Sequence, residues 1–291
     1  MDRLRCCGVQ THWSTRVTKL FAAIVFAVAT AASSVLPEGA VERTATGVRL
    51  VRDGRVIWNF EIDAEDGKPY IHPLTTPSGE TLTDVRPADH PWHKGLWFSW
   101  KFLNGVNYWE TPDKCGPGGA GITVVTSKAV DIQGLGATVR LGLAYRAADG
   151  DVMSERRVVT FSPPEKDGSY AIIFDQTFKA VTDVTIDRTP PYRRHDGAWA
   201  GGYAGLTLRL SASAARRFSR RRDFGGDVTF ANPDNGECIR LRAIDQPASG
   251  RFYAWLDRRM LNLSPVYDNA IKLSAGSELH LRGELRLGCP E

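Results

Sequence analysis

The sequence predicts an all-β fold, a large antiparallel β-sandwich of the oversized type, and three observations carry that expectation. Short runs of β-forming residues recur from Thr46 onward, turn residues separate them, and neither a βα rhythm nor a long amphipathic helix interrupts them. A mature region of residues 41–289 suits one such sandwich as a single domain.

The elements follow in order. Residues 48–51 and 55–60 flank Asp53-Gly54, a hairpin signal because both turn positions tolerate positive φ. Strands are predicted at 96–102, 121–127, 137–145, 155–161 and 170–178, with Asp149-Gly150 and Asp167-Gly168 as turns between them. Later strands are predicted at 206–210, 227–230, 238–243, 252–256 and 279–287. Residues 211–222 are the best helical candidate, with a basic loop as the alternative. The Gly-rich stretch 115–121 reads as a flexible loop within the sandwich.

Composition excludes little beyond disorder. Of 291 residues, 42% are hydrophobic and 24% charged, ordinary globular values, and the formal charge of +4 is too mild to imply a nucleic-acid or membrane-surface partner. Residues 1–34 read as an export signal or an N-terminal anchor. Arg3, Arg5, Arg16 and Lys19 precede an apolar run at 20–28, and small residues follow, with cleavage expected near Ala31 or Ala32. The expected destination is therefore secreted or periplasmic, with no membrane segment after signal removal. Cys115, Cys238 and Cys289 would remain, either as one bridge with a free thiol or as three thiols.

Chemistry concentrates at residues 69–110, where His72, His90 and His93, three of the six histidines, share a Trp-rich segment with Asp84, Asp89, Lys94 and Glu110. Three readings stay open. Neutral imidazoles bind zinc or copper, although a straight strand would point His90 and His93 to opposite sides. Alternatively, His90 or His93 titrates near neutral pH while Asp89, Asp84 or Glu110 orients it, giving acid and base catalysis. The bland alternative is that these groups cap turns. Trp92 is a candidate stacking platform for a sugar, with Trp109 beside it, whereas Trp97 and Trp100 suit the core. A second polar group, Arg193-Arg194-His195-Asp196, reads as a loop entering a strand. Arg216, Arg217, Arg220, Arg221 and Arg222 could grip an anion or form a solvated face. Phosphate-binding Gly-rich, nucleophile-elbow and metalloprotease motifs are absent from the sequence.

The segments Lys68-Pro69-Tyr70-Ile71-His72-Pro73 and Asp89-His90-Pro91-Trp92-His93-Lys94-Gly95, continued by Asn104-Gly105-Val106-Asn107-Tyr108-Trp109, resemble a family of secreted bacterial proteins with the legacy name "methane oxygenase". The resemblance resumes at Gly202-Tyr203-Ala204 and Phe252-Tyr253-Ala254-Trp255. It implies a β-sandwich similar to the aldose mutarotase class and a carbohydrate ligand, without fixing a reaction. One departure is Trp92, which stands where the resemblance leads one to expect a second histidine after the proline.

The combined expectation is a carbohydrate-binding and carbohydrate-active sandwich, acting by hydrolysis, elimination or epimerisation. His90, His93, Asp89 and Glu110 are the expected catalytic groups. His72, Trp92, Lys94, Trp109 and His195 are the expected substrate contacts. No metal is assigned, and the cofactor is left open. The alternatives are a non-catalytic carbohydrate-binding or structural module and a copper or zinc enzyme built on the histidines.

Overall fold

Successive side chains on a strand point to opposite faces, so a chain of alternating character can close one face against a second sheet and keep the other for chemistry. The computed structural model describes residues 39–288 except 196, 198, 225–226, 249 and 256–258, and leaves aside the side chains of 199, 219–224 and 253–255. The expected export signal and Cys289 lie outside the described residues.

β1 (Gly39–Arg43), β2 (Gly47–Arg52), β3 (Arg55–Glu61), β4 (Tyr70–Leu74) and β5 (Leu96–Ser99) form an antiparallel meander. The hairpin at Asp53-Gly54 is present, with φ of 52° and 72° at the two turn residues. β6 (Phe102–Leu103) and β7 (Val106–Asn107) then make a short hairpin, so the run expected as one strand at 96–102 is broken. The break coincides with Lys101, whose ammonium turns inward to the Glu110 carboxylate.

The long strands β8 (Ile122–Gln133), β9 (Gly136–Ala147), β10 (Gly150–Phe161) and β11 (Tyr170–Ala180) follow, then β12 (Val184–Asp187) and the small hairpin β13 (Tyr192–Arg193) and β14 (Trp199–Ala200). Next come β15 (Gly205–Arg209), α1 (Ala212–Arg217), β16 (Ser219–Phe224), β17 (Asp227–Ala231) and β18 (Cys238–Asp245). The last four strands are β19 (Arg251–Trp255), β20 (Met260–Ser264), β21 (Ile271–Leu273) and β22 (Glu278–Leu287).

The first sheet runs β1-β2-β3-β4-β5-β15-β20-β19 and the second β16-β17-β18-β22-β11-β10-β9-β8, eight strands each, with a four-stranded sheet β21-β12-β6-β7 beside them. This is the expected all-β sandwich. Only half of the expected helix forms: Ser211 caps it by accepting from the Ala214 amide, and residues 219–224 instead pair with β17 as the edge of the second sheet. Nor is the whole of 115–121 slack. A Cβ on Gly121 would lie 2.2 Å from the Tyr108 ring, so that glycine is set by packing.

Aromatic pairs join the two sheets. Trp58 of β3 stacks on Phe161 of β10 at 4.0 Å, and Phe98 of β5 on Phe178 of β11 at 5.2 Å. Each such buried ring removes enough apolar surface to contribute roughly 2–3 kcal/mol. One charged network lies inside this layer. Arg157 donates from Nε and Nη2 to the two Glu155 oxygens at 2.6 and 2.8 Å, while Tyr145 and Gln176 donate to the same carboxylate. Cys238 is disulfide-bonded and Cys115 is a buried free thiol, which corresponds to the first of the two expected cysteine states for those residues.

Candidate functional site

Alternation on β5 sends Leu96 and Phe98 into the layer between the sheets and Trp97 to the opposite, outer face. On β15 the same rule sends Leu206 and Leu208 inward and Thr207 and Arg209 outward. The register places Thr207 opposite Trp97 and Arg209 opposite Met260. All these residues are buried, so the outer face of the first sheet is itself roofed over β5, β15 and β20. Trp97, Trp109 and Met260 form a second apolar cluster there, with Tyr70, Trp92, Tyr203 and Tyr267 packed against it.

Part of the roof is the segment around Asp89. The His90 amide donates to the Pro87 carbonyl at 2.9 Å and the His93 amide to the His90 carbonyl at 2.9 Å, two tight turns in succession. They bring together two imidazoles that a straight strand would have separated. The rings stack at 4.7 Å with an interplanar angle of 24°.

Arg209 organises both histidines from below. Its Nη2 donates to Asp89 Oδ1 and Oδ2 at 2.9 and 3.0 Å, and its Nη1 lies 3.2 Å from His93 Nδ1. Asp89 Oδ2 in turn lies 2.8 Å from His90 Nδ1. The proton positions follow from chemistry. A guanidinium can only donate, so His93 Nδ1 accepts and its proton sits on Nε2. An ionised carboxylate can only accept, so His90 carries its proton on Nδ1 and leaves the Nε2 lone pair free.

The electrostatics hold Asp89 ionised and His93 neutral. Burial acts to raise the Asp89 pKa, but the hydrogen bonds from His90 and Arg209 and the Arg209 charge outweigh it and hold the carboxyl well below the usual carboxylate range. Burial, followed by the charges of Arg209 and His90, pushes His93 down to about 2. The expectation that His93 titrates near neutral pH is thereby corrected: it is a permanently neutral imidazole at ordinary pH. No other described side chain accepts its Nε2 proton.

A cleft of about 130 Å³ opens over this pair, lined by His90, Trp92, His93, Trp109, Tyr203 and Met260, with Thr189, Tyr192, Ala200 and Gly201 along one side. Trp109 is positioned by Asn107, whose side-chain oxygen accepts from the Trp109 amide at 2.8 Å. Tyr203 donates to Glu110 at 3.2 Å, and burial together with the Glu110 charge pushes its phenol far above the usual value, so the proton stays.

Four expected site residues lie elsewhere. Glu110 is tied to Lys101, Asn107 and Tyr203 and lines a different cleft. Lys94, one residue beyond His93, is 1% exposed, pairs with Asp66 at 2.6 Å and lies 5.0 Å from the Tyr70 ring centroid. His72 bonds through Nδ1 to the Thr83 hydroxyl at 2.9 Å, outside the cleft lining. His195 is exposed on the β13–β14 turn and does not line the cleft either.

The sequence reading missed Arg209 and Met260 and named Tyr203 only within a segment that carries the family resemblance. Arg209 did leave a signal, as the one charge in the apolar run Leu206-Thr207-Leu208-Arg209-Leu210. Among the described residues no group of three or more His, Cys, Asp or Glu side chains is placed to hold a metal ion, and His72 lies outside the cleft lined by His90 and His93.

Comparisons with known proteins place the chain only distantly. None of the curated proteins matches it. Among solved structures it is similar to the Slr1438 protein from Synechocystis sp. PCC 6803, with a TM-score of 0.37 and 10% identity over 88% of this chain and 97% of that one. It is also similar to polysaccharide lyase BACCELL_00875, with a TM-score of 0.35 and 10% identity over 88% of this chain and 33% of that one. A third similarity is to the GH36 alpha-galactosidase AgaA from Geobacillus stearothermophilus, with a TM-score of 0.29 and 10% identity over 97% and 38%. The chain thus spans about a third of the length of the two enzymes. Likenesses this distant carry no functional assignment, and none of these three names supports the legacy oxygenase label. The family model covers most of the sandwich, residues 47–282, and the chain belongs to the family it describes, the family of unknown function DUF6807.

Proposed function

We propose that this chain is an exported carbohydrate-active protein whose cleft on the outer face of the first sheet seats one sugar ring and moves protons on it. The observation that carries the reading is the stacked histidine pair with opposite roles at the wall of an aromatic cleft. His90, oriented by Asp89, offers a lone pair and is the general base. Neutral His93 offers an Nε2 proton as a hydrogen bond to a sugar oxygen. Trp92 and Trp109 supply apolar faces for the C–H surface of the ring.

The same lining narrows the reaction. Glycoside hydrolysis in its common form needs two carboxyl groups flanking the bond. No Asp or Glu is among the described residues lining this cleft, since Asp89 sits behind His90 and Glu110 behind Tyr203. Epimerisation or elimination, which needs one base and a hydrogen-bond donor to oxygen, fits the groups present.

The test is a screen of free sugars and oxidised glycosides by proton NMR in deuterated buffer, which reads anomeric exchange, C–H exchange and elimination together. His90→Ala should lower turnover by roughly 100-fold or more. Trp92→Ala should chiefly weaken binding, by roughly tenfold. Sugar binding that both substitutions weaken equally, with no turnover of any sugar tried, would favour the binding-module reading instead.

A further inference from the structure

A second cleft, of about 500 Å³, is lined by Asp63, Asp66, Lys68 and Glu110 together with Ile122 and Val124. Lys68 shares the surroundings of the Asp66 and Glu110 carboxylates with two further buried lysines: Lys68 is 6% exposed, Lys94 1% and Lys101 4%. The carboxylates do not match them in number. Lys94 is taken by Asp66 at 2.6 Å, and Lys101 is taken by Glu110. Asp63 is paired with Lys128, and Glu65 lies at the surface, 3.8 Å from Arg86. Lys68 is left with a single bond, from Nζ to the Trp109 carbonyl at 3.1 Å.

That arrangement suits an amine better than an ammonium. A charged lysine presents three N–H donors and, when buried, requires a compensating charge, whereas a neutral amine presents two donors, needs no counter-charge and keeps a lone pair. We propose that Lys68 is a nucleophilic amine that forms a reversible imine with a small hydroxyaldehyde entering this cleft, the chemical class of an open-chain aldose. Burial pushes the Lys68 ammonium down from the ordinary lysine value, reinforced by the neighbouring Lys94 charge and opposed by Asp66, Glu110 and Cys115, with burial the largest of these effects.

The step balances without an external oxidant or reductant. The Nζ lone pair attacks the carbonyl carbon, a C–N bond forms, and the C=O π bond opens to a carbinolamine as one amine proton passes to oxygen. The C–O bond then breaks, the second amine proton leaves with that oxygen as water, and the C=N bond remains. Water reverses both stages. Both Glu110 oxygens are already taken by Lys101, Asn107 and Tyr203, whereas Asp66 bonds through Oδ1 alone, so its Oδ2 at the wall can accept a hydrogen bond from a hydroxyl of such a ligand.

The experiment is reductive trapping on the whole folded protein. Glyceraldehyde and cyanoborohydride are added across pH 6–9, and each lysine is followed by peptide mass mapping. The adduct is expected on Lys68 ahead of Lys114 and Lys128, whose side chains are 57% and 50% exposed. Exposed lysines should react about tenfold faster per pH unit, since each unit frees ten times more amine below a normal lysine pKa. Lys68 should level off at lower pH. Lys68→Arg should remove the early adduct and leave the slow ones. Lys68 unmodified until the protein is denatured, or Lys68 rising with pH in step with Lys114, would overturn the proposal.

Discussion

Arg157 and Arg209 are both 0% exposed, both lie on strands of a main sheet, and both grip a carboxylate with two short hydrogen bonds, yet they do different work. Arg157 faces the layer between the sheets. Its partner Glu155 is fully buried, and the remaining capacity of that carboxylate is filled by Tyr145 and Gln176. Arg209 faces outward, and its partner Asp89 is 46% exposed and hands its other contact to His90. The difference lies beyond the carboxylate: a closed network fixes the packing of a core, whereas an open one passes its order to an imidazole that a ligand can touch.

The largest effect expected from this contrast is on stability. Glu155→Ala leaves the Arg157 guanidinium buried without its counter-charge, and chemical denaturation should show a loss of roughly 3–5 kcal/mol. Unchanged midpoints would mean that the core network contributes nothing. Asp89→Ala removes an equally bonded carboxylate from the open network, where solvent reaches the vacated position. It should cost less than Glu155→Ala in denaturation, while lowering turnover about 100-fold by releasing the His90 tautomer. Equal destabilisation by the two substitutions would erase the contrast.

The smallest effect concerns a third network, on an exposed face. His280 bridges Asp245 at 2.7 Å and Asp175 at 2.9 Å, and these two hydrogen bonds raise its pKa above the ordinary histidine value. A folded pKa above the unfolded one stabilises fully below the unfolded value and is lost as pH rises through the folded one. The stability difference between wild type and His280→Gln should therefore shrink as pH is raised through and above neutrality. Its side chain is 42% exposed, so solvent screening keeps the difference within about 1 kcal/mol. A difference that grows with pH would reverse the assignment.

The sandwich was legible because its long strands alternate: β9, β10 and β22 bury every other residue along much of their length, and sequence shows that pattern directly. The site was legible only in part. His90, Trp92, His93 and Trp109 meet in one cleft, but Lys94 and His72, equally polar and equally near in sequence, do not. Position along the chain fixes the face of a side chain on a regular strand, but not in the turns around Asp89. The organiser stood furthest from view, because Arg209 meets His93 across 116 residues of sequence. Only strand pairing of β15 with β5 and β20, set by the fold as a whole, brings it there.

His93 stands 5.3 Å from the Trp97 ring centroid, 6.1 Å from that of Trp92 and 6.2 Å from that of Trp109, and Trp97 and Trp109 are themselves 5.4 Å apart. Of the three indoles around this imidazole two, Trp92 and Trp109, line the cleft. The molecule therefore carries its own optical reporter. A ligand laid on Trp92 strips water from that ring, and the ultraviolet emission of the protein should move to shorter wavelength as the cleft fills. Occupancy can thus be read by titration before any reaction is known.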